Sequence, residues 1–479
     1  MIYLVVDIGT SGSKAALIND AGEILKSGQY SYPTHTDAGG IVEQVADDWY
    51  QEFKELIREL NSQGIDAIIL TGQMQNLILL DGQGKVLRKV ILYSDTRATR
   101  EAEQVKTLLG REHLRHVTGN NQEASGLLAK LCWLKTQEPM ALEKAKHIFF
   151  GAADYIAFKL TGQTYTDTTT ASTTGLMNLV ERKWLSEELK TLNLPVQRLL
   201  PKLVLGGAQV GQVQKDIGEL LGIQVGIPVF LAPGDAGTAT LGIGSGEKGK
   251  PYAYMGTSGW VGFTSENVGN SEMGVFTLAH PEPLHYICVA PLLTAGGNLD
   301  WVCQRFGFLN HEQMIESALK QPQNNLLYLP YLNGERSPFY DANARGAFIG
   351  ISSHHTKADL ARAVLEGVAF AYKHTLDAIM TEPFSKLALT GGGARSAAFA
   401  QLLADIIGVD IVIPSEAEFT GLLGALLAVQ VKTRQRTDYY VEQQGLTLKP
   451  NQEYNYQKKY RHFRKAYPSL RHLFQEMAE

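Results

Sequence analysis

The chain has 479 residues, with 44 Lys and Arg against 49 Asp and Glu and a net charge of −5. So near a balance gives no electrostatic reason to expect nucleic acid or an acidic membrane as partner, and the length predicts two large domains around separate cores. Three widely spaced cysteines, Cys132, Cys288 and Cys303, support neither a disulfide framework nor a zinc site; with no basic leader and no run of about 18 apolar residues, the expected location is the cytoplasm.

Met1 to about Tyr30 reads as strand, Gly-rich turn, strand, turn, strand, an antiparallel meander. Residues 45–60 carry apolar side chains at helical spacing, Ala67 to Leu70 is a short buried strand, and Leu77 to Leu80 is another. Glu123 to Gln137 and Ala152 to Leu160 read as helices, the second stopped by Thr161-Gly162. Between Gly206 and Pro228 three Gly-punctuated pieces read as a connecting region, and a domain boundary is expected near residue 240, giving domains 1–240 and 241–479. The second half restarts with a β-hairpin at Tyr252 and passes into helices at Lys357 to Ile379 and Ser396 to Gly408. The last forty residues read as helical and are expected to pack back on the N-terminal domain. The class is α/β.

The tetrapeptide Gly-Thr-Ser-Gly occurs at Gly9 to Gly12 and again at Gly256 to Gly259, each time after a short strand. Hairpin loops use such residues for turn geometry alone, but their exposed amides also make anion sites. Asp7 before the first copy and Lys14 after it favour the second reading, since they supply a carboxylate for a divalent cation and a positive charge at one loop. Asp235, at a strand end before small residues, reads either as a helix start or as a base that accepts the proton of an attacking hydroxyl. Leu387 to Thr390 enters Gly391-Gly392-Gly393 and then a helix, where backbone can approach a ring or a phosphate closely. That stretch lacks the dinucleotide fingerprint, and the chain has no Gly-x-x-x-x-Gly-Lys-Ser/Thr, so any ATP is bound without a P-loop. Glu335 and Arg336, between Pro330 and Pro338, read as an ion pair fixing their loop.

Together these residues resemble the FGGY carbohydrate kinases, of the actin, sugar kinase and heat-shock ATPase fold. Asp7-Ile-Gly-Thr-Ser-Gly-Ser-Lys14 is similar to the family's first phosphate loop, Gly256-Thr257-Ser258 to its second, and Gly391-Gly392-Gly393-Ala394 to its adenosine loop. Gly346-Ala-Phe-Ile-Gly-Ile351, a gap of seven and Asp359-Leu-Ala-Arg-Ala-Val-Leu-Glu366 match its long C-terminal pattern; the pattern around Lys130 and Trp133 is met except at Leu127.

The resemblance implies two actin-like domains with an ATP and sugar cleft between them. It makes Asp235 the general base and Asp7 the Mg²⁺ residue. Thr10, Ser11, Gly12, Lys14, Gly256, Thr257, Ser258, Gly391, Gly392, Gly393 and Ser396 become the ATP-binding set, and Met74, Gln75, Asp95, Arg97 and Asp235 the sugar-binding set. Glycerol kinases of the family carry Arg-Glu where this chain has Met74-Gln75, and xylulose kinases carry Met-His, so a ketopentose such as xylulose is the leading acceptor and gluconate the runner-up. An actin- or heat-shock-like ATPase switch without a metabolite is the alternative of another class. The expected partner is a small sugar, not nucleic acid or membrane; a homodimer is compatible with the resemblance.

Overall fold

The computed structural model describes every residue except Ala38, Gln452, Tyr454 and Glu479. The chain divides into two compact units. The first is Met1–Gly242 with Thr277–Ile287 and Glu418–Val441; the second is Ile243–Phe276, Cys288–Ala417 and Glu442–Glu479.

In the first unit a six-stranded sheet is built around Ile2–Ile8. This strand pairs antiparallel with Gly12–Asn19, which continues to Ile24–Ser31, as the alternating sequence predicts. On its other side it pairs in parallel with Ala67–Gly72, which pairs in parallel with Pro228–Leu231. Strand periodicity sends alternate side chains to opposite faces. Leu4, Val6 and Ile8 accordingly pack with Trp49 and Phe53, whereas Tyr3 and Val5 pack with Leu422, Ala425 and Leu426. Both faces are therefore covered, as the nearly continuous apolar run of this strand requires.

The second unit repeats the order. Tyr252–Met255 forms a hairpin with Gly259–Ser265 and runs parallel to Lys386–Thr390, which runs parallel to Asp410–Pro414. An antiparallel edge strand, Gly445–Leu448, follows, as Ala208–Gln212 does in the first unit. The helix Lys357–Ile379 lies in the core through Val364, Val368, Phe370 and Tyr372.

Three expectations are corrected. The helix expected from Glu123 begins at Leu127, because the chain turns at Gly126, whose N–H bonds to the Glu123 carbonyl. The supposed connecting region after Gly206 contains the strand Ala208–Gln212 and the helix Lys215–Leu221, and the strand completes the sheet. The last forty residues stay with the second unit: in the helix Gln457–Glu476, Tyr460 and Phe463 join the core around Phe370, and Tyr460 and Tyr467 donate hydrogen bonds to Asp377 (2.7 Å) and Asp341 (2.6 Å). The segment that returns to the first unit is the preceding helix, Thr420–Lys432. Among the described residues no helix is long and apolar enough to cross a membrane.

That returning helix touches the short helix Asp235–Thr240 backbone to backbone. A Cβ at Gly424 would lie 1.9 Å from the Thr238 carbonyl oxygen, and one at Gly242 would lie 1.8 Å from that of Thr420. Overpacking costs about 1–3 kcal/mol where atoms can shift, and backbone on both sides leaves little room to do so. Gly424→Ala is expected to lower the stability of the protein by about 2 kcal/mol or more, read as a lower urea midpoint by circular dichroism. An unchanged midpoint would show that these helices can separate freely.

Candidate active site

The parallel register brings the C-terminal ends of three central strands to one edge of the first sheet. Asp7 pairs with Thr71 and Leu231 with Leu70, so the turns after Ile8, Gly72 and Leu231 emerge side by side. Thr71 ties them together: its hydroxyl donates to the Pro233 carbonyl at 2.7 Å and lies 3.2 Å from the Thr238 hydroxyl. In this way sheet topology alone gathers Asp7, the first Gly-Thr-Ser-Gly loop, Met74 and Asp235.

The loop is held by its carbonyls. Tyr32 donates its hydroxyl proton to the Gly9 carbonyl, Gln73 donates to the same oxygen at 3.3 Å, and Gln44 donates to the Thr10 carbonyl at 2.7 Å. Gln44 is itself fixed, accepting from Trp49 at 3.0 Å and from Gln73 at 2.9 Å. No described residue accepts from the amides of Thr10 or Ser11. A hairpin loop with tethered carbonyls and uncommitted amides suits an anion. At Gly12 a Cβ would fall 2.2 Å from the Tyr30 carbonyl oxygen, so only glycine fits. Lys14, opposite Asp7 in the hairpin, extends instead to the Glu418 carbonyl at 3.1 Å and lies over the Phe419 ring.

Around this edge sits a set of carboxylates. Burial raises the pKa of Asp7 to about 6, against the pull of Lys14. Burial raises that of Asp235 to about 7, and repulsion from Asp7 and Asp167 adds to the shift while a hydrogen bond from the Ala236 N–H, 2.7 Å, opposes it. Asp167 and Asp154 were not picked out from the sequence. Asp167 caps the helix Thr168–Ser172, accepting from Thr169 N at 2.8 Å and Thr170 N at 3.1 Å, and burial lifts it to about 6. Asp154 accepts from the Phe150 and Gly151 amides, and burial together with Asp167 lifts it to about 8. Their place at helix starts, Asp167 before a run of threonines and Asp154 in the first turn after Gly151, is the one local signal they carry.

Of the remaining candidates, Met74 packs against Gly234, where a Cβ would come within 2.2 Å of its Sδ. Gln75 has φ of 58°, a left-handed conformation unusual outside glycine, and its amide donates to the Ser125 carbonyl at 3.4 Å. Asp95 and Arg97 are engaged with each other. The guanidinium bonds to both Asp95 oxygens and to Glu43 at 2.8 Å, and it lies over the Trp133 ring. Asp95 is fully buried and also accepts from Val42 N at 2.7 Å.

A magnesium-nucleotide fits these residues. Asp7 Oδ1 is buried with no hydrogen-bond partner, a costly state that a cation relieves. Among the described residues no three His, Cys, Asp or Glu side chains cluster as a cage. Such an ion would be held by one carboxylate or two, with water and phosphate completing its shell, as magnesium usually is.

The second unit carries the other candidate loops. Tyr254 pairs with Thr390, so the Gly256 loop and the triple glycine leave neighbouring strands at one edge. The carbonyls of Gly256 and Thr257 accept from Gly296 N (2.8 Å), Ala295 N (2.9 Å) and Gly297 N (2.9 Å). Gly391 has φ of 87°, and a Cβ there would lie 2.6 Å from the Met255 carbonyl oxygen. A single 3-10 turn, Gly392–Arg395, leads into the helix Ala397–Ile407, whose first turn Ser396 caps by accepting from Phe399 N at 3.3 Å. Gly256, Thr257, Gly392, Gly393 and Ser396 all line one cavity of about 1190 Å³. The expected Glu335–Arg336 ion pair does not form. Glu335 is 1% exposed and accepts backbone amides, while Arg336 faces solvent.

A buried carboxyl whose pKa is higher folded than unfolded contributes most to stability when it is protonated in both states. That contribution is complete below about pH 4 and falls away as pH rises to about 7 for Asp235. Asp235→Asn, which cannot ionise, is therefore expected to be more stable than the wild type at pH 8 without ligand, with the difference shrinking towards zero near pH 4. Thermal unfolding at the two pH values measures it; equal stability at pH 8 contradicts the burial cost.

Residues 2–242 match the N-terminal domain of the FGGY family of carbohydrate kinases and residues 252–431 its C-terminal domain. A xylulose kinase of Staphylococcus xylosus is 30% identical over 440 residues, covering 89% of this chain and 90% of its own. Among solved structures, a ligand-bound xylulose kinase of Lactobacillus acidophilus superposes with a TM-score of 0.90 at 26% identity, covering 99% of each chain. A gluconate kinase of the same organism gives 0.90 at 26%, covering all of both. The chain belongs to the FGGY family of carbohydrate kinases, phosphotransferases whose acceptor is a sugar hydroxyl.

Proposed function

We propose that this kinase phosphorylates a neutral ketopentose such as xylulose with Asp235 as general base, in the cytoplasm. The observation that carries the base assignment is the environment of Asp235: a carboxyl at a strand end whose pKa is raised to about 7 is basic enough to take a hydroxyl proton, and about half of it is ionised at neutral pH. Asp7 would hold magnesium directly or through water, and the amides at Thr10, Ser11 and Gly12, and in the second unit those of Thr257 and Ser258, would hold the β- and γ-phosphates; the Gly256 N–H is already donated to the Ser258 carbonyl at 2.9 Å. Lys14, anchored at Glu418, adds positive charge beside the first loop. Gly392, Gly393 and Ser396 line the second unit's cavity and, with Gly391 before them, would border the adenosine. Bound magnesium supplies neutralisation of the phosphate charge.

Choice between a neutral sugar and a sugar acid turns on charge. Met74 and Gln75 are uncharged, and the Arg97 guanidinium is engaged by Asp95 and Glu43, so these residues offer no cation to a carboxylate substrate. Asp7, Asp167 and Asp235 would repel one. Gluconate remains the competing acceptor because a gluconate kinase resembles the chain as closely in fold as a xylulose kinase does. An ATPase switch with no acceptor is set aside by the family match over both halves.

ADP release measured against ketopentoses, glycerol and gluconate tests the reading. Turnover should depend on a ketopentose; fastest turnover on gluconate overturns the substrate, and indifference to every acceptor overturns the kinase assignment. Asp235→Asn is expected to lower kcat by about 10²–10⁴-fold, with ATP affinity retained by calorimetry; retained transfer places the base elsewhere. Asp7→Asn should raise the magnesium concentration needed for half-maximal rate, and an unchanged metal titration removes Asp7 from that role.

A further inference from the structure

The loop Pro330 to Pro338 was singled out from its sequence, and the function described so far makes no use of it. Its Glu335 is buried to 1% exposure in the second unit, and among the described residues no cation pairs with it and one carboxylate oxygen, Oε2, has no hydrogen-bond partner. The other oxygen, Oε1, accepts from Leu293 N at 2.9 Å and from Arg336 N at 2.7 Å. Leu293 opens the segment that leads into the helix Gly296–Phe306. Two and three residues on, Ala295 N and Gly296 N donate to the carbonyls of Thr257 and Gly256, and Gly297 N donates to Thr257 as well. The loop 330–338 grips the same segment twice more. Asn333 donates to the Thr294 hydroxyl at 3.2 Å, and the buried Asn298 bridges the carbonyls of Thr294 (3.0 Å) and Pro330 (3.1 Å).

We propose that Glu335 is a positioning residue for the second phosphate loop: by holding Leu293 N–H it sets the segment whose amides pin the Gly256 and Thr257 carbonyls, and so keeps that loop's own amides turned towards phosphate. This rests on the assignment of the Gly256–Gly259 loop to the nucleotide phosphates. A carboxylate is suited to the task because one of its oxygens accepts from both amides at once. Glutamine keeps an acceptor oxygen at the same reach; alanine removes it.

The test is calorimetric binding of ATP and of adenosine to the full-length protein. In the wild type ATP should bind tighter than adenosine, because phosphate contacts add to those of the ring. Glu335→Ala is expected to weaken ATP by about 10-fold, roughly 1.4 kcal/mol, and to leave adenosine within about 2-fold. Glu335→Gln should restore ATP to within about 3-fold of the wild type. Equal weakening of both ligands, or of neither, overturns the proposal, because a merely structural role would not single out the phosphates. Should Glu335→Ala fail to fold, Asn333→Ala, an exposed position, replaces it: a selective loss for ATP supports the proposal and none opposes it. A wild type that binds ATP no tighter than adenosine removes the phosphate-loop assignment itself, and the proposal with it, an outcome distinct from a defect confined to the variants.

Discussion

The organising constraint is the burial of carboxylates at the ends of apolar strands. Asp7 ends a strand whose other side chains are almost wholly buried, and Asp235 opens a helix from the neighbouring strand's turn. Folding takes these groups out of water and, among the described residues, brings neither into an ion pair, which is unfavourable for the charged form and raises their pKa values, against the pull of Lys14 on Asp7. The rest of the first unit offsets this cost elsewhere. Its sheet is covered on both faces, and its returning helix is pressed against the Asp235 helix through glycines. The same burial that costs stability makes Asp235 a base near neutrality and leaves Asp7 with an oxygen to offer.

Both units use the same sheet order, hairpin first and parallel strands after, and both place a Gly-Thr-Ser-Gly loop at the hairpin. They fix the loop differently. In the first, side chains from three other segments, Tyr32, Gln44 and Gln73, donate to the loop carbonyls. In the second, backbone amides at the start of a helix do so. Each arrangement commits the carbonyls and spares amides for an anion, so two unrelated sets of partners serve one electrostatic end.

What the sequence made legible was local. Alternation and glycine spacing announced the hairpins, and the helix read over Lys357–Ile379 has those bounds to the residue. Asp235 at a helix start was visible because both its readings, cap and base, share that position. The parts that escaped depend on partners distant in the chain. Nothing local to Arg97 shows that Glu43, 54 positions earlier, holds its guanidinium. Glu335 reads as the partner of its neighbour Arg336 until Leu293, 42 positions away, supplies the amide it accepts. Asp154 and Asp167 look like ordinary caps, and only the fold sets the charge of Asp167 against those of Asp154 and Asp235. The strand Ala208–Gln212 was hidden by its glycines, which suit a bulged edge strand as well as a loop.

The account stands on the ionisation of one carboxyl. A ¹³C NMR titration of the Asp235 side chain in the ligand-free protein, repeated in Asp7→Asn, measures it directly. The pKa should lie near 7 in the wild type and move down towards the ordinary carboxylate range when the neighbouring negative charge is removed. A wild-type value near 4, unmoved by the substitution, would contradict the claim that burial and Asp7 together prepare this group as the base.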